Sequence, residues 1–138
     1  MHNAGGDWPD GIQVVQVRIV RPTDKLEEVV AFYRDGLGLP MVGAFKGLYE
    51  GVMLGLPGRS YHLAFIRHKE GSPCPAPSRD NLLVLYIPDQ DHLSRLRERF
   101  ERLGHRPVEP QNPYWRDKSI TFEDPDGWRT VLCRTSGI

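Results

Sequence analysis

The sequence predicts a mixed α+β protein made of two strand–helix–strand–strand–strand (βαβββ) modules. Two observations predict it. The same order of elements, read from hydrophobic periodicity and breaker residues, occurs twice, about 65 residues apart. The run Asp124-Pro125-Asp126-Gly127 is a strong turn and closes a final pair of short strands. The halves share negligible sequence identity, so the repeat is one of element order.

Each element follows from local pattern. Residues 1–11 are polar and Gly-rich and are expected to be a disordered lead-in. Gln13 to Val20 alternates: Val15, Val17 and Ile19 point one way, Gln16 and Arg18 the other, as in a half-buried strand. Arg21-Pro22-Thr23 breaks it. Asp24 opens a helix with Glu27 three residues on, a capping-box spacing. Leu26, Val29, Val30, Tyr33 and Leu37 share one helix face; Gly36 and Gly38 stop it and Pro40 prevents its return.

Three strands are predicted next, Met41 to Phe45, Tyr49 to Leu54 and Tyr61 to Arg67, with turns at Gly47 and at Gly55 to Gly58. His68 to Asp80 is rich in Pro, Ser and charge and reads as a connector. Asn81 to Ile87 is a strand. Asp91 to Leu103 is a helix with Leu93, Leu96, Phe100 and Leu103 on one face and Gly104 as its C-cap. Pro107 to Glu109, Lys118 to Phe122 and Trp128 to Arg134 are the last three strands. Module one thus spans 12–68, the connector 69–80 and module two 81–134, within a single domain.

Composition excludes several function classes. At 138 residues the chain is one compact domain, large enough to bury a core. Eighteen basic residues balance eighteen acidic ones, which argues against nucleic acid or an anionic membrane as partner. Arg95, Arg97, Arg99 and Arg102, interleaved with Glu98 and Glu101, read as a solvated helix face. Two cysteines, Cys74 and Cys133, make neither a disulfide framework nor a CxxC metal site. No apolar run reaches the ~18 residues of a membrane span, and the N-terminus lacks the apolar stretch of a signal peptide. A cytoplasmic protein is expected.

Two motifs sharpen the fold. Residues 31–39 (AFYRDGLGL) and 122–127 (FEDPDG) together resemble the vicinal oxygen chelate superfamily of glyoxalase I, extradiol dioxygenases, bleomycin-resistance proteins and fosfomycin-resistance enzymes. Residues 17–23, 51–57, 61–63 and 112–115 are similar to its YycE-like branch. The resemblance covers Ile12 to Arg134. It implies that the modules curl a mixed sheet around a concave groove, helices outside, and that the chain forms a homodimer. In metal-dependent members, four oxygen or imidazole ligands on the groove face hold one divalent ion that polarises two substrate oxygens.

The corresponding positions here are Gln16, Ala64, Leu82 and Val131. Three have no metal-binding side chain and the fourth is a weak neutral ligand, so no metal or other cofactor is expected. His62 shares parity with Ala64 and therefore faces the groove. His68, His92 and His105 fall on a connector, a first helical turn and a helix end, scattered in pattern. Gln16, Arg18 and His62 are polar groups of the groove face. Tyr114 and Trp115, on the loop 112–116, are candidate pocket walls, and Tyr49 follows the same logic. Each also has a plain structural reading: a salt bridge, a satisfied core histidine, or a packed or interface aromatic.

The function expected is metal-free binding of a small organic molecule, with no catalytic residue assigned. The alternatives are a metal-dependent lyase or dioxygenase of the glyoxalase type, acid/base catalysis by His62 alone, and a dimeric module without ligand.

Overall fold

A computed structural model describes residues 5–58 and 60–137. Two sheets form. In the first, β1 (Val17–Pro22), β2 (Met41–Lys46), β3 (Tyr49–Gly55) and β4 (Tyr61–His68) lie in the order β1-β4-β3-β2. In the second, β5 (Leu82–Tyr86), β6 (Ser119–Glu123) and β7 (Arg129–Cys133) lie in the order β5-β7-β6. The opening strand of each module pairs parallel to the closing one, and the remaining pairs are antiparallel. The fold is mixed α+β as predicted; the strand–helix–strand–strand–strand order is complete in the first half, and the second half has two strands after its helix.

Several element boundaries differ from expectation. The first strand starts at Val17 because pairing begins there, with Val17 opposite Tyr61; Gln13 to Gln16 have no strand beside them and are exposed. It runs on to Pro22, which is tolerated at the end of an edge strand, where no ladder donor is needed. The strand expected at Pro107 to Glu109 is reduced to a single bridge between Val108 and Thr121. His68 belongs to β4 rather than to the connector. Of the predicted lead-in, residues 1–4 lie outside the described residues, and 5–11 form neither helix nor strand.

The first helix is short, α1 (Leu26–Val30), and widens into a π-helical turn, Ala31–Gly36. Its expected capping box does not form. Asp24 instead accepts the backbone N–H of Ser72, tying down the connector, and Glu27 accepts both arms of Arg67 on β4. That bidentate pair holds the Glu27 carboxyl down at about 2. The wider turn aims successive aromatics in different directions. Tyr33 stacks on Phe65 of β4, 4.8 Å between centroids. Phe32 turns the other way, to Phe100 at 4.9 Å and His105 at 5.0 Å.

The second helix, α2 (Gln90–Arg102), is capped by Asp89, whose side chain accepts from Asp91 N and His92 N. Phe100 on its inner face also stacks on Phe122 of β6 at 4.3 Å. Phe32, Phe100 and Phe122 are each 0% exposed and form one aromatic run through both modules. Close approach requires glycine at one point in it: a Cβ at Gly36 would sit 2.7 Å from the Phe100 ring. Arg99 leaves the solvated face on which its spacing placed it. It crosses to module one and donates to the carbonyls of Gly36 (3.2 Å) and Leu37 (2.7 Å), which end the π turn with no intrahelical partner.

A polar clamp closes the other side of the module junction. Tyr33 Oη donates to Asp124 Oδ2 at 2.7 Å, and Arg21 Nη2 reaches the same oxygen at 2.5 Å. Thr23 Oγ1 donates to Asp126 Oδ2, and Lys25 Nζ to the carbonyl of Pro125. Burial, reinforced by the Asp124 carboxylate, raises the Tyr33 phenol well above its ordinary value. Burial pulls the Arg21 guanidinium down, but Tyr33 and Asp124 outweigh it and leave it above the usual value.

Candidate functional site

Strand alternation sorts side chains between the helix-covered and helix-free faces. Leu63 and Phe65 of β4 belong to the core under α1, so His62, Ala64 and Ile66 face away from the helices. The parallel register Arg18–His62 and Val20–Ala64 places Arg18 and Val20 on that same helix-free face. On the second sheet Leu83, Phe122 and Leu132 face the core, which leaves Leu82, Thr121, Arg129 and Val131 on the helix-free side.

Arg18 and His62 meet. Arg18 Nε donates to His62 Nε2 at 2.7 Å. A guanidinium can only donate, so Nε2 is the accepting nitrogen and the ring proton sits on Nδ1. His62 is 4% exposed and Arg18 lies at the surface, so the pair presents a charged edge over a buried ring. Gln16, two residues before Arg18, precedes β1 and is exposed. Tyr49 opens β3 opposite His68, whose ring it touches edge-on at 4.9 Å. His68 lies six residues along β4 from His62, so Tyr49 stands roughly 20 Å from the Arg18–His62 pair at ~3.3 Å per residue.

The aromatic loop forms a separate cleft. Asn112 caps the 3-10 turn Pro113–Trp115 by accepting from Tyr114 N. Trp115 is half-buried and lines a shallow cleft with Leu82, Thr121, Arg129, Val131 and Asn112. Tyr114 does not line it; its ring is 59% exposed and carries Lys118 Nζ 3.5 Å above its centre. Thr121 and Arg129 are cleft residues that the sequence reading missed. Thr121 is 3% exposed, and its hydroxyl has no hydrogen-bond partner among the described residues. The signal was present in the alternation Ser119, Thr121, Glu123, which puts Thr121 beside Val131 in register. Every residue lining this cleft belongs to 79–131, so Arg18 and His62 lie outside it.

The residues do not suit a divalent metal. Ala64, Leu82 and Val131 face the helix-free side without a donor atom, and Gln16 lies outside the strand. Among the described residues no group of three or more His, Cys, Asp or Glu is placed to hold a metal ion. His92 and His105 stand on α2 and just past its end, His105 packed against Phe32. No helix among the described residues is long and apolar enough to cross a membrane.

Comparison with known proteins agrees with this architecture. Residues 17–66 match the model of the YycE-like N-terminal domain and residues 80–134 that of the YycE-like C-terminal domain. The uncharacterized protein YycE of Bacillus subtilis (strain 168) is 44% identical over 128 residues, 91% of this chain and 92% of its own. The crystal structure of a YycE protein from Bacillus subtilis superposes with a TM-score of 0.87 at 42% identity, covering 96% of this chain and 98% of that one. TnmS3, an antibiotic binding protein from Streptomyces sp. CB03234, shares the fold at a TM-score of 0.64 and 22% identity, over 91% of this chain and 98% of its own. The fosfomycin resistance protein FosX from Mesorhizobium loti does so at 0.62 and 19% identity, over 94% of each chain. The chain belongs to the YycE-like branch of the vicinal oxygen chelate superfamily.

Proposed function

We propose that the chain is a metal-free binder of a small planar organic molecule, neutral or anionic, held on the helix-free faces of its two sheets. The observation that carries this reading is the pairing of Arg18 with His62 beside Ala64. The pair shares the helix-free face with Ala64, one of the positions that correspond to metal ligands in the superfamily's metal-dependent members, and Ala64 offers no donor atom. The Trp115 cleft supplies the complementary half: a flat aromatic wall, the apolar Leu82 and Val131, and the unspent hydroxyl of Thr121. Gln16 and Tyr49 extend the first sheet's face at its two ends. TnmS3, described as antibiotic binding, is a neighbour of the same fold with a compatible role.

The reading includes a homodimer. The Arg18–His62 pair and the Trp115 cleft do not share a cavity within one chain, and β1 leaves one strand edge open. Val20, Phe45 and Tyr49 are exposed apolar residues on or beside that face.

Tryptophan fluorescence during titration with aromatic antibiotics and metabolites tests the function. A ligand should quench Trp115 emission and bind at least tenfold more weakly to Arg18→Ala, His62→Ala and Trp115→Ala. Gln16→Ala should weaken it less. A ligand indifferent to all four would move binding off these faces. Stoichiometric zinc, nickel, iron or manganese in untagged protein would favour the metal-dependent lyase or dioxygenase instead.

A further inference from the structure

A larger cavity, of about 270 Å³, lies between β1 and β5, and Arg18, His62 and Trp115 are not in its lining. Ile19, Arg21, Leu63 and Phe65 line one side, and Asn81, Leu83 and Trp128 the other. Strand parity puts Ile19, Arg21, Leu63 and Phe65 on the opposite face of the first sheet from Arg18 and His62. The cavity shares Leu82 and Arg129 with the Trp115 cleft and no other residue.

Its polar lining is one-sided. Arg21 and Arg129 line it, and no acidic residue does. The Arg21 guanidinium is held by Asp124 and Tyr33, with its carbon 4.9 Å from the Trp128 ring centre and 5.0 Å from that of Phe65. Its Nε–H is buried and has no acceptor among the described residues. Arg129 spends Nε on Glu123 and Nη1 on the carbonyl of Glu109, which leaves Nη2 without an acceptor among the described residues. The oxygen of the Asn81 side chain accepts from Ser78, leaving its amide N–H₂ unspent. The unspent side-chain groups of Arg21, Arg129 and Asn81 around this cavity are all donors. Its walls are aromatic and aliphatic. Its volume lies just under the roughly 300–1,000 Å³ of drug-sized sites, which selects a small molecule.

We propose that this cavity is a second ligand site, for a small organic carboxylate with a flat apolar body. The ring lies between Leu63, Leu83 and the aromatic walls, and the carboxylate faces the two arginines. This site is independent of the Arg18–His62 reading, and either can fail without the other.

Calorimetric titration of the full chain with benzoate tests it, with benzyl alcohol and benzylamine as neutral and cationic controls. Benzoate should bind, benzyl alcohol at least tenfold more weakly, and benzylamine not at all. Ile19→Trp fills the cavity mouth from a half-exposed position and should weaken benzoate at least tenfold. Arg21→Gln should do the same; because Arg21 also holds the module junction, Ile19→Trp is the deciding variant. Glu98→Ala, on the exposed face of α2, should leave benzoate affinity unchanged. The proposal fails if benzoate does not bind, if benzylamine binds as well, or if Ile19→Trp has no effect. It also fails if Glu98→Ala abolishes binding. It fails equally if the wild type ignores benzoate while Ile19→Trp changes the mass by light scattering, since the cavity is then a subunit contact.

Discussion

Tyr33 Oη donates to Asp124 Oδ2 across 2.7 Å, and that bond joins the two sequence motifs by which the fold is recognised. Tyr33 belongs to the run AFYRDGLGL and Asp124 to FEDPDG, 91 residues on. The Asp124 carboxylate is fully buried. Oδ2 takes Tyr33 and Arg21, while Oδ1 accepts from the backbone N–H of Asp126 and Trp128 and shapes the turn itself. One side chain thus sets a hairpin turn and the junction between modules.

Asp124→Asn should be strongly destabilising, because it leaves the mostly buried Arg21 without its counter-charge. Loss of one partner of a buried pair costs about 3–5 kcal/mol. Tyr33→Phe removes only one neutral donor and should cost about 0.5–1.5 kcal/mol. Urea unfolding midpoints of the two variants check the ranking, and equal values would contradict it.

The same clamp sets an alkaline limit. The folded-state pKa of Tyr33 is raised above its unfolded value of ~10. The stability it contributes is intact below about pH 10 and is lost as pH rises through the folded value. Stability of the wild type should therefore fall above about pH 10 more steeply than that of Tyr33→Phe, read as urea midpoints across that range.

Gly38 has φ +91°, and a Cβ there would meet the Arg99 guanidinium at 2.0 Å. Gly38→Ala should destabilise through backbone strain and by displacing Arg99 from the carbonyls of Gly36 and Leu37, by about 1–3 kcal/mol. Arg99→Ala should recover part of the loss in the double variant, since it removes the clash but not the strain. Strict additivity of the two would disprove the coupling.

Light scattering should give twice the 15.8 kDa chain mass at micromolar concentration. A monomer would leave the Arg18–His62 pair and the Trp115 cleft as two unconnected half-sites.

Local patterns carried most of the fold and less of the site. The alternation on either side of Arg18 and His62 fixed their shared face, because side-chain parity is a local property. Distant partners could not be read that way. Asp24 and Glu27 have the spacing of a capping box, yet Ser72 and Arg67 offer them better bonds from elsewhere in the chain. Arg99 sits in a charged helical pattern, but two partnerless carbonyls in the other module draw it inward. The short run Pro107 to Glu109 has strand composition but finds only Thr121 to pair with. Alternation assigns Thr121 and Arg129 a face, but the cleft they line is completed by Asn112 and Trp115, and a loop's landing place is not written in periodicity.

The aromatic run Phe32–Phe100–Phe122 bears on how the molecule comes apart. Phe100 of the second module is the middle ring, and Gly36 of the first admits it at contact distance. Neither half keeps its interior closed once the other is gone: residues 17–68 alone would leave Phe32 facing water, and 81–134 alone would uncover Phe100. The tandem order in the sequence therefore does not correspond to two separately melting units. Heating should produce one calorimetric transition whose van't Hoff and measured enthalpies agree, and a chain cut in the connector should refold only when both pieces are present.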